Sequence, residues 1–300
     1  TDSPASVTRY YYYVMSVNNL GDSSPSDTLY GYPSKIWYVE MNGDDDDNDG
    51  KSKTAAFETI EKAVKNNSSL ASGDTIYVGP SISSSKSRDD TGGYYDFVGI
   101  SGGIDLGHSK DFVLKGTSGA DSTVFNAKHG NRHFNFDDGQ TADTKIIGIT
   151  FYKGKQSSND GGGAILIRNS STQLQFINCV FESNYTTGNL AGGAIDISNK
   201  AAPSFTGCTF KNNYAENSEG QALAGAVFIN SSSDIDDLEN TINFKQCKFI
   251  GNYAKGKQHT RGGAVLSSRN TLFENCLFVK NGAIAGYGST NQESAYGGAI

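Results

Sequence analysis

From residue 146 onward the apolar positions recur in a fixed frame. Phe176-x-x-Cys179-x-Phe181-x-x-Asn184 returns as Phe205-x-x-Cys208-x-Phe210-x-x-Asn213, as Phe244-x-x-Cys247-x-Phe249-x-x-Asn252 and as Phe273-x-x-Cys276-x-Phe278-x-x-Asn281. Upstream, Ile146-x-x-Ile149-x-Phe151-x-x-Gly154 fits the same frame with Ile in the cysteine place. Each copy has a partner motif of small residues: Gly162-Gly163-Ala164-Ile165, Gly192-Gly193-Ala194-Ile195, Ala224-Gly225-Ala226-Val227, Gly262-Gly263-Ala264-Val265 and Gly297-Gly298-Ala299-Ile300. Successive partner motifs lie 30, 32, 38 and 35 residues apart, whereas Cys to Asn is always 5. Constant strands joined by varying loops mark a solenoid in which each repeat is one coil and like positions stack about 4.8 Å apart. The frame therefore predicts ladders: Phe and Cys or Ile filling the interior, Asn bonding to backbone groups at a turn. Alternation sends Ile165, Ile167, Ile195 and Ile197 to the core and Leu166, Asp196, Phe228 and Leu266 to the opposite face.

Before the repeats, the pattern differs. Residues 1–33 hold a β-rich run from Tyr10 to Val17, a turn at Gly21 and a polar stretch, Asp22-Ser23-Ser24-Pro25-Ser26. A strand, Ile36-Trp37-Tyr38-Val39, leads into the acidic loop Asp44-Asp45-Asp46-Asp47-Asn48-Asp49-Gly50. Over 55–65, Phe57, Ile60 and Val64 share one helical face with Ala63 beside them, predicting a helix that covers the first coil. Gly73-Asp74 ends that connection and Thr75-Ile76-Tyr77-Val78 reads as a buried strand. The predicted fold is thus all-β: a right-handed parallel β-helix over 35–300 with an N-terminal capping helix, preceded by a partial β-sandwich fragment over 1–33. Within the β-helix, 35–78 form the cap, 79–145 the early coils and 146–300 the repeats. The chain opens in mid-pattern at Thr1 and stops in mid-repeat, so it reads as a segment of a longer protein.

Composition supports short strands and tight turns, with 36 glycines against 5 prolines among 300 residues. A formal charge of −7 with no run of Lys or Arg argues against nucleic-acid partners. The longest apolar stretches fall far short of the roughly 20 residues that span a bilayer, so no membrane insertion by this segment is expected.

Three resemblances follow from these residues. The run through Tyr13, Val14, Val17, Asn18, Gly21, Ser23 and Ser26 resembles the last two strands of a fibronectin type III domain, with Met15 and Ser16 near where that pattern has small residues. Trp37-Tyr38-Val39, Phe57-Glu58-Thr59-Ile60-Glu61-Lys62-Ala63 and Gly73-Asp74-Thr75-Ile76-Tyr77-Val78 resemble, in order, the opening of pectin-lyase-like β-helix proteins, with Ala56 where proline is usual. The Gly-Gly-Ala-Ile and Phe-x-x-Asn motifs over 146–300 resemble the repeats of polymorphic outer-membrane proteins. That last resemblance implies adhesion and surface display.

Candidate chemistry is sparse. The four cysteines share one register, and Ile149 in the same frame indicates a site for a small apolar residue, so buried free thiols are expected, with disulfides the alternative. Asp45, Asp47 and Asp49 alternate before Gly50 like the first half of a calcium loop, although Ala56 stands where a closing Glu belongs. Structural Ca2+ or a solvated acidic turn are the two readings, and no other cofactor is expected. Tyr185, Tyr214 and Tyr253 each follow a ladder Asn, with Gly282 breaking the row; they form either a platform for sugar rings or a partner, or a shield for the turn. Polygalacturonases of this fold pair Asn-Thr-Asp, Gly-Asp-Asp, Gly-His-Gly and Arg-Ile-Lys, of which Gly43-Asp44-Asp45 occurs alone. The pectate-lyase Arg-x-Pro-x-x-Arg has no counterpart. Leu166, Asp196, Phe228 and Leu266, with Arg168 and Arg269 nearby, make a poor reagent set for elimination or hydrolysis, and His108, His129, His133 and His259 recur in no frame. No residue is assigned a catalytic role. The reading is an extracellular or cell-surface, outer-membrane-associated structural or adhesive protein, a rigid stalk or filament subunit, with glycans, other surface proteins or its own copies as partners. A polysaccharide-active lyase or hydrolase and a carbohydrate-binding module are the alternatives.

Overall fold

The computed structural model describes residues 10–12, 15–18, 21–26, 29–31, 34–81, 94–96, 102–157, 160–188, 191–230, 241–286 and 294–300. From Ile36 onward the strands stack in parallel, like on like. Sheet 1 holds eight strands, from Ile36–Val39 to Thr271–Glu274. Sheet 2 holds seven, from Tyr95–Asp96 to Leu277–Val279, and sheet 3 holds six, from Ile104–Asp105 to Val265–Ser267. Among the described residues a side sheet of five, from Lys155–Gln156 to Gly282–Ala285, lies between sheets 2 and 3 in the coils from Thr150 onward. The chain visits sheet 1, sheet 2, the side sheet and sheet 3 in turn and pairs each strand with its counterpart one coil on. This is the right-handed parallel β-helix that the repeat predicts. Among the described residues of 10–31, Tyr10–Tyr12 pairs antiparallel with Leu29–Gly31 and Val17–Asn18 with Gly21–Asp22, and the rest of the sandwich fragment expected over 1–33 lies outside the described residues.

The register equals the sequence frame. Phe176, Phe205, Phe244 and Phe273 pair in sheet 1, and Phe181, Phe210, Phe249 and Phe278 in sheet 2. Their rings form two stacks: Phe205–Phe244 centroids lie 4.7 Å apart at 5° and Phe210–Phe249 4.8 Å apart at 4°. The two stacks meet edge to face, as at Phe205–Phe210, 5.8 Å and 66°. Ile195, Ile197, Val227 and Ile229 close the third side, all fully buried. Each such side chain contributes about 1.5–3 kcal/mol of burial.

Between sheets 1 and 2, one residue in the left-handed region turns the chain: Gly148, Asn178, Gly207, Gln246 or Asn275. A second such corner, at Lys153, Ser183, Asn212, Gly251 or Lys280, comes just before the ladder Asn or, in the first copy, before Gly154. Asn and Gly hold most of these places because they tolerate that backbone; Gln246, Lys153, Ser183 and Lys280 hold it under the stack's constraint. In the Gly-Gly-Ala motif the second glycine is needed for approach. A Cβ on Gly193 or Gly225 would run into the backbone of Tyr214 or Tyr253 and of the next coil's motif.

The cap differs from the expected helix over 55–65. Only Ile60–Val64 is α-helical, after a short 3-10 turn at Lys53–Ala55. Phe57 is extended and pairs with Val39, donating its N–H to Tyr38 O at 2.9 Å. The reason is Asp45, whose carboxylate accepts the N–H groups of Glu58 and Thr59 and so keeps them out of a helix, leaving Thr59 to cap it at Lys62. Phe57, Ile60, Ala63 and Val64 are nonetheless all buried over the first coil, with Phe57 stacked 6.2 Å from Trp37.

Candidate functional site

The ladder residues stand where the frame places them, and their bonding is now explicit. Asn213 Oδ1 accepts from both the backbone N–H and Nδ2 of Asn184, at 3.0 Å each. Asn213 Nδ2 donates to Phe181 O and Asn252 Oδ1, at 2.9 Å each. Asn252 and Asn281 repeat the arrangement, and Gly154 begins it by donating its N–H to Asn184 Oδ1 at 2.7 Å. Cys179, Cys208, Cys247 and Cys276 are unpaired to one another, each Sγ donating to a carbonyl of the preceding coil, as Cys208 does to Phe176 O at 3.4 Å. Burial holds the Cys208 thiol well above its ordinary value.

Tyr185, Tyr214 and Tyr253 form one row on the side sheet. Their rings stack face to face at 4.6 Å and 5.2 Å, within 12° of parallel. Faces turned to one another are not turned to solvent, so the row presents mainly ring edges and hydroxyls. His129 meets Tyr185 edge-on at 5.1 Å and Lys155 lies over the same ring at 5.1 Å. Burial, with neighbouring Tyr185 and Tyr253, raises the Tyr214 hydroxyl to about 12.

The acidic loop does not bring Asp45, Asp47 and Asp49 together. Asp45 is engaged with Glu58 and Thr59, Asp49 pairs with Lys51 at 2.9 Å, and the N–H of Asp47 turns to Asp44. Among the described residues, the carboxylates that do converge are Asp105, Asp137 and Asp138 on sheet 3, none of which the repeat frame singles out.

Sheet 3 carries the outward row that alternation predicts at Leu166, Asp196, Phe228 and Leu266, together with Asp105, Asn135 and the charged partners Arg132 and Asp160, which sequence reasoning missed. Its outward row runs Asp105, Asn135, Leu166, Asp196, Phe228 and Leu266, one residue per coil. Leu166, expected outside, is only 4% exposed. Charged groups gather on this face: Arg168 pairs with Asp160 at 2.7 Å, and Arg132, 2% exposed, donates to Asn135 Oδ1 at 3.0 Å and to Asp160 O at 2.9 Å. Burial raises the Asp196 carboxyl to about 7 against the pull of Arg168 and Arg132, and burial lowers Arg132 to about 10. Arg269, expected beside this row, instead reaches across the stack to donate to Ala201 O at 2.6 Å and acts as a structural tie. On sheet 1, an open groove of about 510 Å³ crosses four coils between Ala142 and Asn243, lined by the neutral Gln173, Gln175, Ser204 and Thr241.

No protein-family model matches the chain. No curated protein matches it in sequence. Among solved structures, a likeness is found to the pectin methylesterase from Aspergillus niger in deglycosylated form, 13% identical over 89% of this chain and 90% of that one, with a TM-score of 0.28. A likeness of that size speaks to neither activity nor substrate. Among the described residues, no helix is long and apolar enough to cross a membrane.

Proposed function

We propose that this protein is an extracellular structural or adhesive surface protein, a rigid stalk or filament subunit that holds its variable loops in fixed array. One observation supports this most: Phe, Asn and Tyr stack on their own kind rung after rung, with ring planes within 3–12° between Tyr185 and Phe278. A section that repeats so closely resists bending, because each coil is fixed by its neighbours on three packed sides and by the amide ladder. Glycans, other surface proteins or further copies are the partners this reading implies. Beads carrying the folded chain should be retained under flow on a surface coated with one of these partners, and beads carrying heat-unfolded chain should not. Retention on none of them overturns the reading.

A second reading, a polysaccharide-active enzyme, draws on Asp196, a carboxyl near 7 beside two guanidinium groups and a second carboxylate, Asp160. New reducing ends or unsaturated products from any of a panel of polysaccharides would establish it, and Asp196→Asn should abolish them.

A further inference from the structure

Among the described residues the interior between the three sheets is filled mainly by apolar side chains. The outer face of sheet 3 is different. There a guanidinium is buried almost completely, at 2% exposure, and its Nε has no acceptor. Beside it a carboxylate rests so closely on the chain that a Cβ on Gly161 would collide with Asp196 Oδ2. Buried charges of this kind cost a fold several kcal/mol before their pairing offsets it.

We propose that this face, at Asp196, Arg168 and Phe228, is a binding site for a neutral glycan. Neighbouring hydroxyls on a sugar ring each donate and accept, so a carboxylate and a guanidinium side by side satisfy both at once. The carboxyl of Asp196, near 7, can itself accept or donate close to neutral pH. Phe228 is the next outward residue on the row, paired with Asp196 in register and half-buried, so its ring stands about one strand spacing away along the helix axis. An aromatic face there suits the C–H face of the adjoining sugar. Neutrality follows from the local charge. Asp105, Asp137 and Asp138 converge on the same face, with Asp137 close enough to feel Arg168, so with Asp160 and Asp196 the face carries five carboxylates against two guanidinium groups. An anionic sugar would be repelled.

This inference goes beyond the stalk reading and holds whether or not that reading does. Calorimetry of the folded chain against cellohexaose, xylohexaose, mannohexaose, laminarihexaose and hexagalacturonate, backed by an array of neutral glycans, tests it. At least one neutral glycan should bind, Phe228→Ala and Arg168→Ala should each weaken it at least tenfold, and Tyr214→Ala should change it less than twofold. Hexagalacturonate should bind at least tenfold more weakly. Thermal unfolding of each variant shows that it is folded. A folded wild type that binds no neutral glycan, binding indifferent to Phe228→Ala and Arg168→Ala, or tighter binding of hexagalacturonate at these residues overturns the proposal.

Discussion

The coils from Phe176 to Asn281 and the coils from Ile104 to Arg168 fill the same cross-section in different ways. In the later coils, sheets 1 and 2 each contribute a Phe and sheet 3 the smaller Ile or Val. In one earlier coil sheet 3 instead carries Phe134 and Phe136, stacked at 5.5 Å, while the ladder place of sheet 1 holds Leu114 and, one coil on, Ile146. All of these side chains except those of the last rung are fully buried. The fold therefore requires a constant filled volume per coil, not a constant residue. Identity adds ring stacking and the amide ladder; variety leaves room on sheet 3 for His133, Arg132 and the carboxylates.

The largest break in the regular section should come from Phe210→Ala, which removes a ring stacked 4.8 Å from both Phe181 and Phe249. A loss of about 4 kcal/mol is expected in guanidinium unfolding, since close-packed neighbours cannot collapse into the gap. In the irregular section the corresponding weak point is set by pH. His133 stands where Ala164 and its counterparts stand and packs 5.4 Å from Phe151; burial lowers it to about 4. Its ordinary value is higher, so the unfolded chain takes the proton first. Stability from this group is complete above pH 6.5 and lost as the pH falls through 4, about 3 kcal/mol in all. His133→Ala should flatten that part of the profile.

Asn213→Ala comes next. It leaves the N–H and Nδ2 of Asn184 and the carbonyl of Phe181 buried without this partner, for about 2–3 kcal/mol. Hydrogen exchange at the Asn184 amide should accelerate most. Asp196 has the opposite pH sign from His133: its folded value, about 7, is raised, so stability is lost as the pH rises through 7. Asp196→Asn should gain on wild type by about 2 kcal/mol between pH 5.5 and 7, and a constant difference would show that the carboxyl titrates normally. The smallest effect is Ala224→Gly. Ala224 has φ +56° where Gly192 and Gly262 hold the same place, and relief of that backbone should add up to about 1 kcal/mol of stability.

The register, the interior and the Asn ladder were legible because each is a local motif repeated at one frame. The left-handed corners at Asn178, Ser183, Gly207, Gly251, Asn275 and Lys280 were not singled out, because Ser and Lys share the place with Asn and Gly and so give it no common residue type. The short cap helix was not legible, since Asp45 acts on residues 13 and 14 positions away. Nor were Arg132 and Asp160, the charged partners around Asp196 on sheet 3. Arg132, Asp160 and Asp196 each occur once and become neighbours only when three coils stack, so no single window contains their relation.

The unequal coils have a mechanical consequence. Pulled from one end, a stack held mainly by nearest neighbours should peel one turn at a time, each rupture releasing the residues of that turn. Steps of 30, 32, 38 and 35 residues correspond to about 100–130 Å of extended chain. The force trace would then spell out the loop lengths in order, and from which end the protein was pulled.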